Sequence, residues 1–161
     1  MMSETDVDAG AVRRALSLAD VPTDGDEGDL SVQHVERGVN EVFVVTYGDD
    51  HEPVVCKFAE FSWPVSFRAG VAAYRLLGEY TELPVPEVYA LRTDPPEMEA
   101  FHVTEYLPGE PLDDATPEDT TPARALGEVI AAFRSIPRSA TDGYGMISTN
   151  REALPNLWTV L

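Results

Sequence analysis

Residues 41–59 read EVFVVTYGDDHEPVVCKFA. Two apolar, β-branched runs flank Gly48-Asp49-Asp50-His51, a tight-turn sequence, so the stretch reads as a hairpin of strands Glu41 to Tyr47 and Pro53 to Ala59. Val42, Phe43, Val44 and Val45 follow one another, which requires both faces of the first strand to be covered. One face suits a helix; the other must meet a ligand or a second lobe. In the second strand, alternation sets Val55 and Lys57 on one face and Val54, Cys56 and Phe58 on the other.

Working outward, Ser31 to Glu36 reads as a preceding strand, with Val32 and His34 alternating against Gln33 and Val35. Arg37-Gly38-Val39-Asn40 joins it to the hairpin and makes a three-stranded meander. A first helix is expected over Thr5 to Ala19, where Val7, Val12, Leu16 and Leu18 follow helical spacing, ahead of an acidic break from Pro22 to Gly28. Downstream, Pro64 to Glu79 reads as a helix with Phe67, Val71, Tyr74 and Leu77 on one side. Two more strands follow, Glu87 to Arg92 and Ala100 to Tyr106, and Pro108-Gly109-Glu110-Pro111 breaks the chain. Pro122 to Ser135 is a last helix with an apolar stripe of Leu126, Val129, Ile130 and Phe133. Asp142-Gly143-Tyr144-Gly145 is a turn, after which no complete element is expected. The fold class is α+β: a five-stranded antiparallel sheet with a helix inserted after the third strand.

Composition narrows the partners. The 161 residues carry 29 acidic and 11 basic side chains, a formal net charge of -18. Such a surface repels nucleic-acid phosphates and anionic lipid, so neither is an expected partner. The acids are spread along the whole chain, a halophilic-type pattern in which concentrated salt screens self-repulsion. The single cysteine, Cys56, excludes an intrachain disulfide, and His34, His51 and His102 lack metal-ligand spacing. With no apolar leader or membrane-length apolar run, a cytoplasmic location is expected.

Within this arginine-rich basic set, Lys57 is the sole lysine. A lysine on a mostly apolar strand face is costly to desolvate unless an anion meets it, and lysine depletion elsewhere favours an anion-binding role over an edge lysine snorkelling to water. Gly38 admits positive φ and brings backbone N–H groups near a phosphate, although most Gly-Val-Asn hairpins are only hairpins. The Pro-Gly break after residues 103–107 leaves backbone groups free to pair with a purine edge, or marks a plain linker between lobes.

In this order, the parts resemble the N-terminal lobe of the aminoglycoside phosphotransferase and choline kinase-like family, relatives of the protein kinases. Gly38-Val39-Asn40-Glu41-Val42-Phe43 resembles the nucleotide loop and second strand, and Val54-Val55-Cys56-Lys57-Phe58 the lysine strand. Leu83-Pro84-Val85-Pro86-Glu87-Val88 and the stretch from Val103 through Tyr106-Leu107-Pro108-Gly109-Glu110-Pro111-Leu112 are the most specific pieces. The helix around Ala125-Leu126-Gly127 resembles the first helix of the large lobe. The resemblance runs from about Leu30 to Tyr144. It implies ATP as cofactor, with magnesium arriving as the ATP complex. Lys57 would meet the α/β-phosphates, Val55 roof the adenine, and Gly38, Asn40, Val42 and the hinge Glu105, Tyr106 and Leu107 line the rest. It divides the chain into an N-terminal helix and acidic linker (1–29), a nucleotide-binding lobe (30–107), and a linker with the incomplete start of a large lobe (108–161).

Two departures qualify this expectation. The family's helix glutamate, which pairs with the strand lysine, is expected at the position of Gly70, and Glu60 is the acid offered as a substitute. The catalytic loop His-Gly-Asp-x-x-x-x-Asn and the later metal-binding Asp do not occur, so no catalytic or metal-ligating residue is assigned and catalysis is expected to be negligible. Two alternatives stand beside an incomplete hydroxyl kinase. One is a non-catalytic nucleotide-binding or interaction module completed by another chain, with Leu154, Leu157, Trp158, Val160 and Leu161 as its interface; the other is an unrelated α+β domain in which Lys57 is incidental.

Overall fold

The computed structural model describes residues 4–21, 30–35, 40–48, 51–59, 64–109, 120–140, 146–147 and 153–154. Its elements in chain order are α1 (Glu4–Leu18), β1 (Leu30–His34), β2 (Glu41–Tyr47), β3 (Val54–Phe58), α2 (Pro64–Tyr80), β4 (Val88–Arg92), β5 (Phe101–Glu105) and α3 (Thr121–Ser135). A 3₁₀ turn, Arg138–Ala140, and two short strands, β6 (Met146–Ile147) and β7 (Ala153–Leu154), follow. That small antiparallel pair corrects the expectation of no further element after residue 145. Every expected helix and strand is present, with ends moved by at most two residues, while the expected break from Pro22 to Gly28 and turn at Asp142 to Gly145 lie outside the described residues.

The sheet order is β1-β2-β3-β5-β4, and all neighbours are antiparallel. The first three strands form the expected meander. Strand β5 then returns beside β3 and leaves β4 at the edge, because α2 and its Pro-rich exit carry the chain across before it re-enters. Gly48, at φ 61, makes the β2–β3 turn in the left-handed region that glycine reaches at little cost.

Helix α1 covers one face of the sheet. Val12, Ala15 and Leu16 are buried there against Phe43, Val45, Val54, Cys56, Phe58, Phe101 and Val103. The rings of His34, Phe43, Phe58 and Phe101 continue across four strands, with successive centroids 5.0, 5.8 and 6.0 Å apart. The helix ends in a Schellman motif: Val21 N–H donates to the Leu16 carbonyl at 3.2 Å and Asp20 N–H to that of Ser17 at 3.4 Å, with Asp20 at φ 54. Arg92 on β4 donates to the Leu18 carbonyl at 2.8 Å, tying the helix end to the sheet edge.

Helix α2 serves the other face. Phe67, Val71, Ala72 and Leu77 are buried, so the expected stripe is the packed one, with Tyr74 half-buried. Helix α3 behaves differently. It buries none of its residues, and Leu126, Ile130 and Phe133 of its expected stripe are 57%, 51% and 45% exposed.

Candidate nucleotide site

The α2-side face carries the residues singled out in the sequence. Antiparallel register sets Val42, Lys57 and His102 in one row across β2, β3 and β5, and Val44, Val55 and Thr104 in the next. Along β3 the side chains alternate between buried and half-buried, which places Lys57 and Val55 on the half-buried side with Val42 and Val44. The next step along the ladder is Tyr106, whose N–H donates to the Pro53 carbonyl at 3.2 Å. From that hinge row to the Lys57 row the strand advances about 13 Å, at ~3.3 Å per residue. On β2 and β3 the face is therefore a strip of valines with an ammonium at one end, and the strand terminus lies at the other.

At the hinge end, the Glu105 N–H donates to the Glu87 carbonyl at 2.9 Å, and the Glu105 carboxylate accepts from the Glu87 N–H at 3.1 Å. Glu105 is thus tied to the entry of β4, and Tyr106 to β3. Tyr106 and Leu107 are 36% and 38% exposed. Nearby Tyr89 has its phenol pKa raised, first by desolvation and then by the charges of Glu87, Glu105 and Glu52 together with Tyr47. At the opposite end, Asn40 immediately precedes β2, and its Oδ1 is buried without a hydrogen-bond partner among the described residues. Gly38 and Glu60 lie outside the described residues.

Position 70 does not take part in the row. Gly70 is exposed, and a Cβ there would meet nothing within 4 Å. The α2 side chain that reaches the Lys57 row is Phe67, whose ring lies 5.1 Å from that of His102. Among the described residues, no carboxylate forms an ion pair with Lys57.

Two residues of this face were not singled out in the sequence. His102 and Thr104 are 6% and 3% exposed, the buried polar side chains among the described residues. The signal that could have found them is the strand FHVTE, in which a polar pair alternates with Phe101 and Val103 and faces the same way as Lys57. Burial, with the charge of Lys57 as a second cause, lowers the His102 pKa to about 4, so its ring is neutral at ordinary pH. Its Nδ1 is buried and without a partner. On the helix-covered side, burial raises the Cys56 thiol to about 12, which keeps it protonated and inert.

The model of the phosphotransferase enzyme family (APH) matches residues 31–160. A crystal structure from Ralstonia eutropha JMP134, provisionally assigned as an aminoglycoside phosphotransferase, superposes with a TM-score of 0.54 at 21% identity. The match covers 85% of this chain and 42% of that one, so this chain spans less than half the length of that neighbour. No curated protein matches. The neighbour's likeness is one of fold. The family match extends over most of the sequence and takes in every strand of the site, and the chain belongs to the phosphotransferase enzyme family.

Proposed function

We propose that these residues form the nucleotide-binding part of a phosphotransferase that moves the γ-phosphoryl of ATP to a hydroxyl of a small molecule. The observation that carries this reading is the row of Lys57 beside Val42, one step from Val55 and Val44, on the half-buried face. The chemistry of that face fits the ligand: branched apolar side chains suit a purine, and the sole lysine suits its phosphates. Val55 and Val44 flank the base, Lys57 holds the α/β-phosphates, and Asn40 stands at the phosphate end. The backbone at Glu105 to Leu107 meets the purine edge. With the Tyr106 N–H committed to Pro53, Leu107 is the donor on which that edge relies. Magnesium enters with the nucleotide and supplies charge neutralisation on its phosphates.

The reading extends to catalysis only in part. The 161 residues contain no His-Gly-Asp-x-x-x-x-Asn stretch, so the groups that orient an acceptor hydroxyl must be supplied by residues other than these. By themselves these residues bind nucleotide weakly and transfer negligible phosphate. A second reading, a nucleotide-binding module completed by another chain, is favoured by the exposed stripe of α3. In both, the protein works in the cytoplasm, where ATP is abundant.

Calorimetry with Mg·ATP in high salt tests the shared core of the two. Lys57→Ala is expected to weaken binding about tenfold or more, the typical effect of losing a hydrogen bond to a charged group. Unchanged affinity would remove Lys57 from the site and the reading with it.

A further inference from the structure

His102 stands next to Lys57 by construction of the sheet. The bonds from Ala59 N–H to the Ala100 carbonyl and from Tyr106 N–H to the Pro53 carbonyl set the alternation of the β3–β5 ladder. By that alternation, Lys57 and His102 are a hydrogen-bonded pair, with Cα atoms about 5.5 Å apart and side chains on the same face. The Phe67 ring packs against the imidazole, its centroid 5.1 Å away. The ring is nine-tenths buried, yet its Nδ1 has no partner, an arrangement that costs free energy unless something fills it. Lys57 lacks a carboxylate among the described residues, so a buried ring nitrogen without a hydrogen-bond partner lies beside a cation without an ion-pair partner there.

We propose that His102 is a positioning residue for Lys57: its neutral imidazole accepts a hydrogen bond from the Lys57 ammonium through Nδ1 and holds that ammonium against the nucleotide phosphates. The inference rests on the reading of Lys57 as the phosphate-binding cation. A neutral acceptor suits this task for a physical reason. A carboxylate would cancel much of the charge that attracts phosphate, whereas an imidazole fixes the ammonium in place and leaves its charge whole. Burial serves the same end, because it keeps the ring unprotonated and so prevents like-charge repulsion with Lys57. The proton then resides on Nε2, and Nδ1 is the free acceptor.

The test uses the full 161-residue chain with Mg·ATP as probe. His102→Leu, which removes the acceptor, is expected to weaken binding about tenfold. His102→Asn, whose amide oxygen can occupy the place of Nδ1, is expected to recover most of that loss. In a Lys57→Met background, His102→Leu is expected to add nothing, because the ammonium it serves is gone. If Lys57→Met weakens binding while His102→Leu leaves it at the wild-type value, His102 has no positioning role and the nucleotide reading stands. If Lys57→Met has no effect, the nucleotide reading itself falls. A measurement on the wild-type protein covers the case in which the leucine variant fails to fold. In ¹⁵N NMR, Nδ1 of His102 should show the unprotonated resonance and shift on addition of Mg·ATP. A protonated Nδ1, or an Nδ1 that does not respond to bound nucleotide, overturns the proposal.

Discussion

At the scale of single residues, the two faces of β3 set two different chemistries on adjacent side chains. Cys56 lies under α1, fully buried, with its thiol pushed up to about 12. It should resist thiol reagents in the native protein and react only after denaturant is added, which a timed Ellman assay would show. Lys57 and His102 occupy the opposite face, where the imidazole pKa is lowered from 6.5 to about 4. Between those values the unfolded chain binds a proton that the folded chain refuses. Stability therefore falls as pH drops through that window and levels off below it. The loss is on the order of 3 kcal/mol. Protonation of carboxylates on so acidic a protein acts across the same range, so the diagnostic quantity is the difference between wild type and His102→Asn. Denaturant titrations at several pH values should show the steeper loss in wild type; parallel curves would refute it.

Among the elements, α1 and α2 hold their places by burial, and α3 does not. Phe43 and Phe101 lie at the centre of the α1-covered face, 2% and 0% exposed. Truncating either to alanine should cost about 3–5 kcal/mol by loss of transfer energy and by cavity formation, measured by urea unfolding. The end of α1 offers a change in the other direction. Asp20 adopts φ 54 as the left-handed residue of the Schellman motif, a conformation that glycine adopts without a Cβ penalty. Asp20→Gly is expected to raise stability by up to about 1 kcal/mol, and a lower melting temperature would show that the aspartate side chain makes a compensating bond. In α3, by contrast, Leu126→Gln should change stability by no more than about 0.5 kcal/mol, as for other substitutions at exposed positions. The same helix with its stripe packed against further protein would lose far more. The size of that loss therefore reports whether α3 is covered in the working protein.

For the whole molecule, charge governs behaviour. A formal net charge of -18 over 161 residues opposes compaction through self-repulsion, and salt screens it over a Debye length of roughly 10 Å at 0.1 M and 3 Å at 1 M. The melting temperature should rise steadily between 0.1 and 2 M KCl, and a flat or falling curve would argue against adaptation to concentrated salt. The same field repels free nucleotide, so ATP affinity should improve as salt is added, the opposite of what a basic phosphate site shows. No helix among the described residues is long and apolar enough to cross a membrane.

Alternation and periodicity alone determined that residues 41–59 form a hairpin, that Lys57 and Val55 share a face away from Cys56, and that Val12 and Leu16 of α1 and Phe67, Val71 and Leu77 of α2 are packed. These are local properties: side-chain direction follows from strand or helix geometry within a few residues. The family, too, was legible, because short Pro- and Gly-bearing stretches in a set order identify it before any contact is known. What lay across the chain was not. The pairing of β3 with β5 depends on the crossover after α2, so no local pattern places His102, 45 positions downstream, beside Lys57. Position 70 shows the same limit: spacing along a helix orders its side chains around the axis, but docking of the helix on the sheet decides that Phe67 reaches that row and Gly70 does not. The identity of the lysine was written in the sequence; its neighbour was decided by the fold.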